Sequence, residues 1–133
     1  MSKIEVTISE IKSIDGLNIV EFDFNGISLK MMSLDLSSDI SVGKRVVLVV
    51  KPTHIVLAKE FFGNISYSNQ ISAKVIECEN GKLLSSIKLL VKDTIFESII
   101  TLDSALRMDI NVNDEVTMLI KASELSIFEV LDD

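Results

Sequence analysis

Lys51-Pro52-Thr53 and Lys121-Ala122-Ser123 each place a hydroxyl two residues after a lysine. Two other stretches place a hydroxyl ahead of Leu-Asp: Ser33-Leu34-Asp35, and Thr101-Leu102-Asp103 with Ser104 behind it. Ammonium groups and hydroxyls donate hydrogen bonds, so side chains of these types can gather around a ligand that offers only acceptors. A bond from a lysine is about twice as strong as a neutral one, so the lysines would dominate. Taken one at a time, the same residues also fit plainer roles. A lysine that ends an exposed strand is usually a solvated charge or an edge guard, and Thr101 and Ser104 can cap a helical turn. Asp35 and Asp103 would repel an anion, so they are expected as caps pointing outward.

The remaining reactive residues offer no catalytic machinery. His54 is the only histidine, and no Cys or carboxylate cluster stands near it at metal-ligand spacing, so a structural role is expected. Cys78 is the only cysteine; it reads as a small buried hydrophobe in a strand, and without an internal partner it suits a reducing compartment. No glycine-rich phosphate loop, Gly-x-Ser-x-Gly elbow or His-Glu-x-x-His helix is present. The chain is expected not to be an enzyme.

A formal net charge of -7 over 133 residues opposes nucleic-acid binding through the overall field. One Tyr and no Trp leave few faces for base stacking. An acidic chain also lacks any diffuse attraction for small anions, so an anion site would have to be local and built from directed donors. No apolar run approaches the roughly 18 to 20 residues that cross a bilayer. The opening Met1-Ser2-Lys3-Ile4-Glu5 lacks the basic-then-apolar order of a signal peptide. The expectation is a cytoplasmic protein with no membrane insertion.

The elements that must position these residues come in two similar sets. Gly26 to Asp35 aligns with Thr94 to Asp103, Ile40 to Gly43 with Ile110 to Asn113, and Val46 to Lys51 with Val116 to Lys121. The second copy carries an insertion within Ser104 to Asp109. Alternation and turn signals predict strands near 4–12, 18–24, 27–34, 45–51 and 54–59, and again near 70–78, 83–91, 95–101, 115–121 and 125–130. Asp15-Gly16, Asn25-Gly26 and Asn80-Gly81 are the hairpin turn candidates, since Asn, Asp and Gly tolerate positive φ. A short helical turn is expected over 35–40 and over 103–110, with Asp as N-cap. Five strands and one helical turn per half suggest a small OB-like barrel. The expected fold is all-β, with domains at 1–60 and 69–133 and a linker at 61–68. The linker's Phe61-Phe62-Gly63 should pack between the halves or against another subunit. Halves of about sixty residues are marginal as lone cores, so an obligate homo-oligomer is expected.

The ordered set of motifs resembles the molbindin family, also called Mop or TOBE domains. Leu119-Ile120-Lys121-Ala122-Ser123-Glu124-Leu125 is close to its Lys-Ala-Ser/Thr-Glu segment. Ile99-Ile100-Thr101-Leu102-Asp103-Ser104 is similar to its Ala-Ile-Thr-x-x-Ser segment, and Ser66-Tyr67-Ser68-Asn69-Gln70 to its Ser-Ala-Arg-Asn-Gln opening. The resemblance implies tandem Mop/TOBE domains that bind the oxyanions molybdate or tungstate, for storage or homeostasis, in an oligomer with sites shared between neighbouring copies and a trimer favoured. The alternative it leaves is a regulatory or adaptor module of a molybdate transport or sensing system with weak or vestigial binding. By the same resemblance Thr101, Ser104, Lys121, Ser123 and Ser66 line one class of site, and Ser33, Lys51 and Thr53 are their counterparts in the first half. The departures are Ser68 where the family has Arg, a first half that opens differently, Leu36 in place of Ser104, and Pro52, which has no N–H to donate.

Overall fold

The computed structural model describes residues 1–131. The first half supplies β1 (Ser2–Ile14), β2 (Leu17–Phe24), β3 (Ile27–Ser33), β4 (Arg45–Val50) and β5 (Val56–Ala58), with a 3-10 turn over Pro52–His54. The second supplies β6 (Asn69–Asn80), β7 (Leu84–Val91), β8 (Thr94–Thr101), the helix α1 (Leu102–Arg107), β9 (Glu115–Ile120), a 3-10 turn over Ala122–Glu124, and β10 (Ser126–Val130). Each strand occurs where alternation predicts one. In β1, Ile4, Val6 and Ile8 point inward while Lys3 and Glu5 face water. β4 is the exception: Val46 to Val50 are all buried, so both of its faces are covered.

The two five-stranded sheets are not made from one half each. Their strand orders are β10-β4-β1-β2-β3 and β5-β9-β6-β7-β8. The fifth strand of each half therefore closes the sheet of the other, with β5 antiparallel to β9 and β10 antiparallel to β4. The crossing happens at Lys51 and Lys121, where the chain leaves β4 or β9 extended (φ -71 and -67) and enters a 3-10 turn. A single apolar cluster runs through both sheets. Phe24 and Phe96 meet in it edge to face, 6.1 Å between ring centroids. The exchange answers the small-core problem posed by sixty-residue halves, since one shared core buries more surface than two separate ones.

Three local expectations need correction. The predicted helix over 35–40 is absent: the chain there makes β-turns, with Ile40 N–H bonded to Ser37 O. In the second half the helix forms over Leu102–Arg107, and its N-cap is Thr101 rather than Asp103. Asn80-Gly81 is not a tight hairpin turn. Asn80 pairs with Ser85 across a longer connection, whereas Asp15-Gly16 and Asn25-Gly26 adopt the positive φ expected of two-residue turns. Of the two places expected for Phe61 and Phe62, the space between the halves does not hold them, since they are 42% and 91% exposed.

The repeat is also in a different register from the sequence match. Hairpins close at Phe24–Ile27 and at Val91–Thr94, so Ile27 stands over Thr94, not over Ile95. A one-residue slip exchanges the two faces of a strand. The observed register pairs like with like: Leu29 with Phe96 and Met31 with Ser98, all buried. Lys30 therefore corresponds to Glu97. The same logic sets Ser2 over Asn69, because Ser2 faces Val50 in β4 as Asn69 faces Ile120 in β9.

Candidate functional site

Lys121 and Ser123 follow β9 on the crossover, and Ser66 lies in the connector just ahead of β6. These three line one cavity of about 230 Å³ together with Lys30, Ser68 and Ala122. Its remaining walls are Ile19 and Met32, so no carboxylate lines it. The walls come from both halves, and one buried amide pins them. Asn69 is fully buried. Its Oδ1 accepts from Lys30 N–H at 2.7 Å, and its Nδ2 donates to Lys30 O at 2.9 Å and to Ile120 O at 3.1 Å. The β3 backbone, the end of β9 and the start of β6 are thus held at one point. A buried amide satisfied on both sides is costly to replace, which makes it an effective clamp.

Thr101 and Ser104 do not join that cavity. Thr101 Oγ1 accepts from Ser104 N–H at 3.2 Å and donates to Ser104 Oγ at 2.9 Å, so the pair caps α1. Arg107 Nη2 donates to the same Ser104 Oγ at 3.3 Å. Ser104 and Arg107 instead line a second cavity of about 260 Å³ with Thr53 of the first half, again without a carboxylate. Thr101 lines neither cavity.

The expected first-half set separates for the same topological reason. Thr53 crosses over with β5 and meets Ser104. Ser33 lines a groove of about 510 Å³ with Ser123, in the place where α1 has no first-half counterpart. That groove also holds Asp35, Asp39 and Glu129. Ser33 turns its hydroxyl onto Asp35 O at 2.6 Å. Lys51 lines a cavity of about 190 Å³ with His54, Ser123 and Glu124. There Glu124 Oε2 takes a 2.7 Å contact from His54 Nδ1, which ties the two 3-10 turns together. His54 is thus structural, as its isolation in the sequence suggested.

Lys30 is the residue that sequence reasoning passed over. In the sequence it reads as a solvent-facing position of an alternating strand, and it is exposed. Contacts of β3 with the start of β6 and with the 3-10 turn after Lys121, made across the halves, bring it beside Lys121. Cys78 is half-buried with its Sγ 3.8 Å from Ile110 O, and burial pushes its thiol pKa up, so it is not a poised nucleophile. Among the described residues no three His, Cys, Asp or Glu side chains are arranged to hold a metal cation. No helix among them is long and apolar enough to cross a membrane.

Residues 65–127 match the family model of the TOBE domain. The chain is similar in structure to the cytoplasmic molybdate-binding protein ModG in a molybdate-bound crystal form. The two share 22% identity at a TM-score of 0.89, over 94% of this chain and 93% of that one. It also aligns with a molybdate-binding protein from Sporomusa ovata at 36% identity, over 53% of this chain and all of that one, with a TM-score of 0.46. No curated protein sequence matches the chain significantly. The ModG likeness shows that the two chains share one fold over nearly their whole length.

Proposed function

We propose that this chain, which belongs to the TOBE domain family through residues 65–127, is a non-catalytic cytoplasmic protein that binds molybdate or tungstate for storage or homeostasis. The observation that carries the reading is the cavity at Lys121. Two lysines and three serines line it and no carboxylate does. A tetrahedral dianion offers only acceptors, and such a set offers only donors or hydroxyls that can turn to donate. That ModG binds molybdate on the same architecture supports the choice of ligand. In this reading Lys121 supplies the main charge-assisted bond, and Ser123 and Ser66 supply hydroxyl donors. Thr53 and Ser104, with Arg107, form a second donor cluster of the same character. Thr101 acts through the cap that holds Ser104. Titration calorimetry with molybdate, tungstate and sulfate tests this: the two larger anions should bind tightly and sulfate weakly. Absence of molybdate binding would end the reading.

The chain is proposed to work as a homo-oligomer, with a trimer favoured. Phe62, Leu83, Leu34 and Phe128 leave more than half of their surface exposed, more large apolar area than a small monomer usually shows to water. Sedimentation equilibrium of the whole chain distinguishes trimer from monomer.

A second reading, an adaptor module with weak binding, is favoured by the first-half side. There Pro52 cannot donate and Glu124 shares the cavity of Lys51. It predicts partner capture that does not depend on the anion.

A further inference from the structure

We infer that Lys30 is the second cation of the anion pocket, and that this pocket exists once per chain because the matching position across the pseudo-repeat is Glu97. The inference rests on the proposed function and names a residue and a restriction that reading does not contain.

Three observations carry it. Lys30 lines the cavity with Lys121, Ser66, Ser68 and Ser123. Its own N–H and C=O are both held by the buried carboxamide of Asn69, which also holds the carbonyl of Ile120, the residue preceding Lys121. Lys30 thus cannot drift from Lys121 without breaking buried bonds, and its side chain is exposed. The corresponding place in β8 carries Glu97. Lys30 faces Glu21 across its hairpin, and Glu97 faces Lys88, so the charge order is reversed. Glu97 also receives a weaker clamp. Its N–H bonds to Ser2 Oγ at 3.1 Å in place of the two bonds made by Asn69, and Ser86 Oγ donates to its carboxylate at 2.5 Å.

The chemistry follows from charge. A dianion facing one ammonium keeps an unbalanced charge, whereas Lys30 and Lys121 together neutralise it. A carboxylate at the matching position adds acceptors to an acceptor-only ligand and repels it. The pocket is therefore selective for a dianion over a monoanion of similar shape, and the site built around Lys51 is closed to either.

The test is titration of the full chain with molybdate and with perrhenate, a tetrahedral monoanion, for the unaltered protein and for Lys30→Gln, Lys30→Arg and Lys82→Gln. Lys82 is exposed on the connection after β6 and serves as a control for net charge. Lys30→Gln should weaken molybdate at least about tenfold, the worth of one lost charge-assisted bond, and change perrhenate far less. Lys30→Arg should keep most of the affinity, and Lys82→Gln all of it. Because the Asn69 clamp uses only the backbone of Lys30, the thermal midpoint without anion should not move. If the unaltered chain takes up no molybdate, the functional reading falls and this inference falls with it. If it binds, but Lys30→Gln binds equally well or Lys82→Gln weakens binding as much, only the role of Lys30 is overturned.

Discussion

The Lys121 side and the Lys51 side of this molecule share a backbone and differ in charge. Both lysines leave a central strand in the same extended conformation and enter a 3-10 turn that carries the chain into the other sheet. On one side the neighbours are Lys30, Ser66 and Ser68; on the other they are His54 and Glu124. A similar contrast separates the cavity under α1, which has Arg107, from the larger groove where α1 has no counterpart, which has Asp35, Asp39 and Glu129. A repeated fold therefore fixes where a lysine sits but not what it can bind. The chemistry is decided by the side chains that the other half brings to it, and these need not repeat.

The most severe way to break the comparison is to ask whether the sides are independent bodies at all. Phe96→Ala removes one ring of the edge-to-face pair that joins the sheets and should cost about 3–5 kcal/mol. Because the core is shared, urea unfolding should remain a single transition shifted to lower denaturant. Two separate transitions, with the first sheet unaffected, would mean that the halves fold alone.

Next come the two clamps. Asn69→Ala strips partners from Lys30 N–H, Lys30 O and Ile120 O, whereas Ser2→Ala strips only Glu97 N–H. At about 1 kcal/mol or more for each buried group left unpaired, the first should destabilise by about 3 kcal/mol and the second by about 1. Equal losses in a denaturant titration would remove the structural asymmetry between the sides.

A third comparison is in binding. Lys121→Ala should weaken molybdate at least about tenfold, and Lys51→Ala should have a much smaller effect. Calorimetry on the two variants under identical ionic strength gives the ratio directly, and a ratio near unity would refute the one-sided account.

The smallest effect concerns how the exchanged strand β5 is fastened. Lys59, just beyond it, reaches Asp114 at 3.0 Å and Asp109 O in the second half. The carboxyl of Asp114 is held below its ordinary value, first by Asn111 N–H and then by Lys59. The ammonium of Lys59 is held above its ordinary value, first by its bond to Asp114. The contribution of Asp114 is therefore complete above the ordinary carboxylate range and is lost as pH falls through the lowered value. That of Lys59 is complete below the ordinary lysine range and is lost as pH rises through the raised one. The gap in thermal midpoint between the unaltered chain and Asp114→Asn should be widest near neutrality and close toward strong acid. A gap independent of pH would show that the pair does not act electrostatically.

Much of this was legible in the sequence, and what was not has physical reasons. The ten strands follow from alternation that a local window can see, and the two tight turns from Asp15-Gly16 and Asn25-Gly26. Three of the five residues expected around one anion were brought together, Lys121, Ser123 and Ser66. Thr101 and Ser104 stand apart from those three within the chain, because the Thr-x-x-Ser spacing here serves a helix cap. The helix over 35–40 failed because the first copy has fewer residues between its third and fourth strands, and Ser33 closes a tight turn onto Asp35 instead. The register slip between β3 and β8 was invisible because matching Ser-Leu-Asp to Thr-Leu-Asp ignores which face each side chain must occupy. Lys30 escaped notice because strand exchange is a long-range event, and no local pattern announces that the third strand of one half will lie against the opening of the other.

The most direct test of the account is a calorimetric titration of the purified full chain with molybdate, with sulfate as competitor. Tight molybdate binding that sulfate displaces poorly, and that Lys121→Ala abolishes or weakens at least about tenfold, is the predicted result. No molybdate uptake by the unaltered chain, or uptake indifferent to Lys121, would contradict it.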